Sequence, residues 1–160
     1  MSINIGQKSP ELEVKKVNNA ERAASYFKAG FNCAQSTCAS CCELFNVDPE
    51  LMLRVASAFG GGIGRMGETC GAVTGALMVI GLKYGMTKPE DQTAKLKTYE
   101  VANDFVARFK ARHTYIKCKE LMGCDVSTPE GAKYAKDNDL HSKVCTPFLK
   151  DAVEIVETIL

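Results

Sequence analysis

The run Gly60-Gly61-Gly62-Ile63-Gly64-Arg65-Met66-Gly67-Glu68-Thr69-Cys70-Gly71-Ala72-Val73-Thr74-Gly75 decides how the rest of the chain is read. Five glycines in its first eight residues exclude a regular element there, because glycine loses the most backbone freedom in helix or strand. Thr69 can cap a helix that continues from Cys70 to about Tyr84 and closes at Gly85. That helix is apolar almost throughout, so it belongs at the centre of a bundle, buried on all sides. Its longest apolar run, Ala72–Leu82, is far short of the ~20 residues a membrane helix needs, and membrane insertion is not expected.

Working outward, the pattern stays helical. Ala20–Ala29 is alanine-rich, can be capped by Asn18 or Asn19, and stops at Gly30. Asn32 caps a second helix, Cys33 to about Phe45, and Asp48-Pro49-Glu50 opens a third, to about Phe59. Beyond the central helix, Thr87-Lys88-Pro89-Glu90-Asp91 opens a long helix to about Lys110 or further. Leu96, Tyr99, Ala102, Phe105, Val106 and Phe109 recur at helical spacing and predict its buried face. A short helix, Cys118–Met122, ends at Gly123; a polar connection follows from Thr128 to about Leu140. The last helix is expected from Val144 to Leu160, with Ala152, Val153, Val156, Ile159 and Leu160 facing the core. No alternating strand and no repeat is evident. The expectation is one all-α domain over residues 1–160, a bundle of about six or seven helices, with 1–17 as an N-terminal extension.

The composition fits such a domain. The chain has 160 residues, 46% of them hydrophobic and 24% charged, which excludes a disordered chain. Twenty basic and 19 acidic side chains leave a net charge of +1, which excludes a general nucleic-acid binder. The unusual count is eight cysteines. The first residues, Met1–Val17, are polar and carry no apolar stretch of the kind a signal peptide needs, so a cytoplasmic protein with reduced thiols is expected. A cysteine-rich cytoplasmic chain points to redox chemistry or a metal site, against the alternative that the thiols are small buried apolar groups.

Cys70 stands at the junction of the glycine loop and the buried helix, where exposed N–H groups and the helix dipole favour a thiolate. Gly71 and Gly75 lie one turn apart on one face, open to a cofactor or to close packing by another helix. Cys33 and Cys145 also fall near expected helix starts, the latter ahead of Pro147. A bundle could bring these three ends together; several thiolates at one point would repel unless a metal, a cluster or a disulfide resolves the charge. Cys38, Cys41 and Cys42 share one helix, and their C-x-x-C reads as core packing because no βαβ context surrounds it. Cys118 follows the basic residues Arg108, Lys110, Arg112, His113 and Lys117, which would stabilise a thiolate if they lie close. His141 and Cys145 have the i, i+4 spacing of helical metal ligands, with Cys124 a further donor nearby. The glycine loop lacks the lysine-Ser/Thr ending of a phosphate-binding loop.

Asn32-Cys33-Ala34-Gln35, Gly60-Gly61-Gly62, Cys70-Gly71-Ala72-x-x-Gly75, Cys118-x-x-Leu121-x-Gly123 and Cys145 before a terminal amphipathic helix together resemble the C_GCAxxG_C_C family of redox-active proteins. The resemblance covers roughly Ala20–Leu160 and implies Cys33, Cys70, Cys118 and Cys145 as the functional set, in a bacterial or archaeal protein. It names no substrate and leaves the redox partner open. Three readings follow. In the first, a thiol-dependent oxidoreductase, Cys70 is the reactive thiolate and Cys33, Cys118 or Cys145 resolves it. In the second, the same four thiolates hold zinc or an iron–sulfur cluster, with Cys124 and His141 as substitutes and loop N–H groups tuning the cluster. In the third, the protein is a non-catalytic helical protein, a homodimer among its forms, with inert buried cysteines.

Overall fold

Five helix starts among the described residues are written as side-chain caps, and those helices begin where the cap residues stand. The computed structural model describes residues 18–160, so the expected extension 1–17 lies outside the described residues. Among these, eight α-helices follow in order: α1 (Asn19–Lys28), α2 (Cys33–Ser40), α3 (Pro49–Val55), α4 (Gly71–Tyr84), α5 (Gln92–His113), α6 (Cys118–Met122), α7 (Pro129–Asp137) and α8 (Thr146–Ile159). The side chains of Asn18, Asp48, Asp91 and Thr128 accept N–H groups of the first turns of α1, α3, α5 and α7 at 2.7–3.0 Å. Such a cap stabilises a helix by about 1 kcal/mol. The fold is the all-α one expected.

Several boundaries differ from the sequence expectation, each for a local reason. The second helix stops at Ser40 and tightens into a 3₁₀ turn, Cys42–Phe45. There the Ser40 hydroxyl donates to the Thr37 carbonyl at 2.8 Å and competes with the backbone ladder. The third helix likewise ends at Val55 and gives way to a 3₁₀ turn, Ser57–Phe59. The polar connection is instead the helix α7, whose only buried residue is Ala135. One apolar anchor in nine residues leaves almost no periodic signal. The central helix α4 is buried or half-buried along its first ten residues, with Thr74, Leu77 and Met78 half-buried, while Gly81 and Lys83 reach solvent.

The face of α5 is also corrected. Val101, Phe105 and Phe109 are its buried residues, whereas Leu96 and Tyr99 are 67% and 57% exposed. Phe105 and Phe109 meet Val73, Val79 and Ile80 of α4 and Leu149, Val153 and Val156 of α8 in one core. Burying each such side chain contributes about 1.5–3 kcal/mol. Arg112 and His113 at the end of α5 reach Asp151 on α8 at 3.3 and 2.9 Å, so these two basic residues dock on α8 rather than serve Cys118.

The closest approach in the bundle is that of α4 to α2. A Cβ on Gly71 would stand 2.7 Å from both the Ala34 nitrogen and the Cys33 Cβ, and one on Gly75 would stand 2.7 Å from the Ala34 carbonyl oxygen. The space beside these two glycines is therefore filled by α2, not left for a cofactor. Gly75→Ala is expected to destabilise the protein by about 1–3 kcal/mol through overpacking against backbone. Gly81→Ala, on the same helix with open space around its Cβ, is expected to stabilise it by about 0.5–1 kcal/mol. Urea unfolding of both variants checks the contrast.

Candidate functional site

Cys33 is the first residue of α2, and a reciprocal cap fixes it there. Asn32 Oδ1 accepts the Gln35 N–H and Gln35 Oε1 accepts the Asn32 N–H, both at 3.0 Å. The same two side chains donate to the Ser57 and Leu53 carbonyls at 2.9 and 2.8 Å. The Asn-Cys-Ala-Gln segment thus locks the start of α2 onto α3 and the turn after it, with the thiol held at the joint.

Cys70 and Cys118 are brought together by backbone pairing. Thr69 and Lys117 form an isolated antiparallel bridge. The Cys70 N–H donates to the Ile116 carbonyl at 2.8 Å, and the Cys118 N–H donates to the Glu68 carbonyl at 2.6 Å. Cys70 and Cys118 are then diagonal neighbours across the pair. The glycine loop covers Cys118: a Cβ on Gly62, whose φ is +71°, would meet the Cys118 Cβ at 2.8 Å. The N–H groups of residues 63–68 all bond within the loop or to its leading edge, so they are not free to tune a bound cluster.

Cys145 ends a π-helical turn, His141–Cys145, that runs directly into α8. Its φ and ψ of −71° and −38° are helical, so it does not sit at a bare helix start as the sequence suggests. Pro147 explains the turn. It has no N–H to give, and its ring would collide with the carbonyl of residue 143 in a regular helix. The Thr146 N–H bonds to the His141 carbonyl instead, one residue further back than an α-helix allows. Single π turns of this kind recur at functional sites.

The four thiols interact, and they are not equivalent. Hydrogen bonding with the Cys33 thiol holds Cys145 below the ordinary cysteine range, against the opposing effect of burial. The Cys33 thiol is pushed well up by the same bond to Cys145, by burial and by the sulfurs of Cys70, Cys145 and Cys118. The interaction thus displaces the two thiols in opposite directions, Cys33 upward and Cys145 downward. Cys70 receives the stabilisation expected at a helix start, from the Ala72 and Val73 N–H groups, but burial outweighs it and its pKa rises to about 11. Cys118 is raised to about 12, mainly by burial, and its thiol donates to the Met122 sulfur at 3.6 Å. At Cys70, where the sequence places the thiolate, burial outweighs the helix start, and among the four it is Cys145 whose pKa is shifted downward.

A cavity of about 1290 Å³ opens onto this group. Cys33, Cys118 and Cys145 stand in its wall, with Phe27, Phe31 and Met122 beside them; Cys70 is not among the wall residues. His141 also lines the cavity, with its ring 6.5 Å from that of Phe27. Cys124 is half-buried near Cys118 and Cys145, and burial raises its pKa. Cys38, Cys41 and Cys42 lie apart from the site, with at most 1% exposure, as core residues. Arg65 and Lys136 are wall residues that sequence reasoning missed. Arg65, inside the glycine loop at φ +64°, carried a usable signal, whereas Lys136 lies on the helix that was itself missed.

Zinc or a [2Fe–2S] cluster would need several donors converging on one point. Among the described residues, no group of three or more His, Cys, Asp and Glu side chains is disposed to hold a metal ion. Cys33, Cys70, Cys118 and Cys145, even with Cys124 and His141 as substitutes, do not form that arrangement. The described helices are also none of them long and apolar enough to cross a membrane.

An all-α protein with a group of interacting thiols at a cavity wall is the class that fold and site define. Residues 31–159 match the family model C_GCAxxG_C_C, "Putative redox-active protein (C_GCAxxG_C_C)", and the chain belongs to that family. No curated protein and no solved structure matches the chain.

The asymmetry of the pair is measurable. Cys145 is expected to be the first cysteine alkylated by iodoacetamide, with a rate that rises with pH through a midpoint below the free-cysteine value of about 8.5. In Cys33→Ala the hydrogen bond is lost while burial remains, so the midpoint moves up and the rate at neutral pH falls. Mass-spectrometric mapping of the label across pH checks both.

Proposed function

We propose that this protein exchanges electrons with a disulfide substrate through Cys33 and Cys145. The observation that carries the reading is that both thiols stand in the wall of one cavity that a substrate can enter, and that their mutual interaction shifts them in opposite directions. The Cys145 thiolate attacks one sulfur of the substrate disulfide. A mixed disulfide forms, and the other substrate sulfur leaves as a thiolate. The Cys33 thiol then loses its proton to that thiolate or to solvent and attacks the Cys145 sulfur. The second substrate sulfur leaves, and a Cys33–Cys145 disulfide remains. The substrate gains two electrons and the protein loses two. In the opposite direction, a reducing dithiol restores the pair.

The energetics favour this division of roles. The attacking sulfur must be a thiolate, and only Cys145 among the four is shifted toward that form. The resolving thiol can remain protonated until the mixed disulfide forms, because neutralising Cys145 removes the negative charge that holds the Cys33 pKa up. Closing the bond requires the two Cα atoms to come within about 7 Å. Cys70 lies off the cavity wall and Cys118 on it, and with both pKa values raised by burial their protonated sulfurs avoid placing further charge beside Cys145.

Reduced protein treated with 4,4′-dithiodipyridine is expected to release two thiopyridone equivalents rapidly and to lose the mass of two hydrogens. Peptide mapping should link Cys33 to Cys145. In Cys33→Ser the reaction is expected to stall as a mixed disulfide on Cys145. A first link through Cys70, or rapid labelling with no internal link, would contradict the proposal.

A further inference from the structure

The cavity walls carry a charge pattern that neither the family nor the thiol chemistry explains. Lys28 from the last turn of α1, Arg65 from the glycine loop and Lys136 from α7 all line the cavity. No Asp or Glu is among its wall residues. Across the whole chain the two signs are nearly equal, with 20 basic and 19 acidic residues, so an acid-free wall is a local feature of this site. Outside the cavity some basic side chains meet carboxylates, such as Arg22 with Glu43, Arg108 with Asp104, Arg112 with Asp151 and Glu154, and Lys117 and Lys119 with Glu68, while others, such as Arg54, Lys83 and Lys110, stand alone among the described residues; what sets the cavity apart is that its three cations share one space with no acid. Among the described residues, Lys28, Arg65 and Lys136 have no carboxylate partner. Three elements distant in sequence each supply one cation to the same space.

The rest of the wall mixes aliphatic and aromatic side chains with the neutral polar residues Asn32, Ser57, His141, Ser142 and Thr146. Ala24, Phe27 and Phe31 come from α1 and the turn after it, and Met122, Val126 and Ala135 from the opposite side. At about 1290 Å³ the cavity exceeds the roughly 300–1,000 Å³ typical of small-molecule sites, so it has room for a ligand of that class together with water. The backbone of Arg65 is itself held in place. Its N–H donates to the Gly60 carbonyl at 3.0 Å inside the self-bonded loop, so its side chain departs from a fixed point of the wall.

We propose that the disulfide substrate is a low-molecular-weight organic anion. Its carboxylates or other anionic groups face Lys28, Arg65 and Lys136, its carbon skeleton lies along the aromatic and aliphatic wall, and its sulfurs meet Cys145. The inference rests on the proposed exchange through Cys33 and Cys145. The reaction balances as given above; the cations add attraction, raising the local concentration of an anionic substrate and its encounter rate by about tenfold or more.

Two probes separate the charge preference from the chemistry. 5,5′-Dithiobis(2-nitrobenzoate) is a dianionic disulfide, and cystamine is a dicationic one; 4,4′-dithiodipyridine, neutral, serves as reference. Second-order rates with reduced protein are compared with those of 2-mercaptoethanol, an uncharged thiol, to remove intrinsic reactivity. The expected result is a corrected preference for the dianion over the dication of about tenfold or more, weakened by salt. In R65Q/K136Q the dianion rate is expected to fall about tenfold while the neutral probe changes less than about twofold. Circular dichroism and an unchanged rate with the neutral probe establish that the variant is folded. A corrected preference that is absent, reversed or insensitive to R65Q/K136Q overturns the anion assignment. If the neutral probe still closes the Cys33–Cys145 link in that case, the exchange chemistry stands without it. If no probe closes the link, the exchange reading fails and the anion assignment fails with it.

Discussion

The contact on which the site depends is the approach of α4 to α2 across Gly71 and Gly75. With hydrogens in place of side chains there, the α4 backbone lies against the Ala34 nitrogen and carbonyl, and a Cβ on Gly71 would stand 2.7 Å from the Cys33 Cβ, closer than such atoms can come. That contact sets the height of Cys33 beside Cys70, the residue that caps α4. The Thr69–Lys117 pairing then draws Cys118 alongside, and the π turn ahead of α8 supplies Cys145. Four residues spread over more than a hundred positions meet because two glycines, one backbone bridge and one proline-induced turn cooperate.

Meeting does not make the thiols alike. Burial alone raises every one of them, and a site of buried thiols with no further asymmetry would be inert. The asymmetry here lies in the interaction of Cys33 with Cys145, which raises the one and lowers the other. The stabilisation at Cys70 from the start of α4 is present but too small to offset the loss of solvent. A helix N-terminus contributes about 0.3–1 kcal/mol at exposed positions, whereas complete burial can shift a group by several pKa units. The magnitudes decide which sulfur carries charge.

Much of this was legible in the sequence because it is local. Caps at Asn18, Asn32, Asp48 and Asp91, the glycine stops and the all-α class rest on residues within a turn of the feature they determine. The core role of Cys38, Cys41 and Cys42 was legible for the same reason. What failed was non-local or lacked periodic signal. Leu96 and Tyr99 have the spacing of a buried face, but spacing cannot say along which turns α5 meets its neighbours. The helix α7 was lost because its polar residues conceal a single buried alanine, and Lys136 was lost with it. The place of the thiolate depends on a partner more than a hundred residues away, which no motif around Cys70 or Cys145 encodes.

The most direct test of the account is a redox titration of the protein against the dithiothreitol couple, read by alkylation and intact mass. The account predicts one two-electron transition in the native protein, retained in Cys70→Ser and Cys124→Ser and abolished in Cys33→Ser and Cys145→Ser. A transition that survives Cys145→Ser and disappears in Cys70→Ser would contradict it.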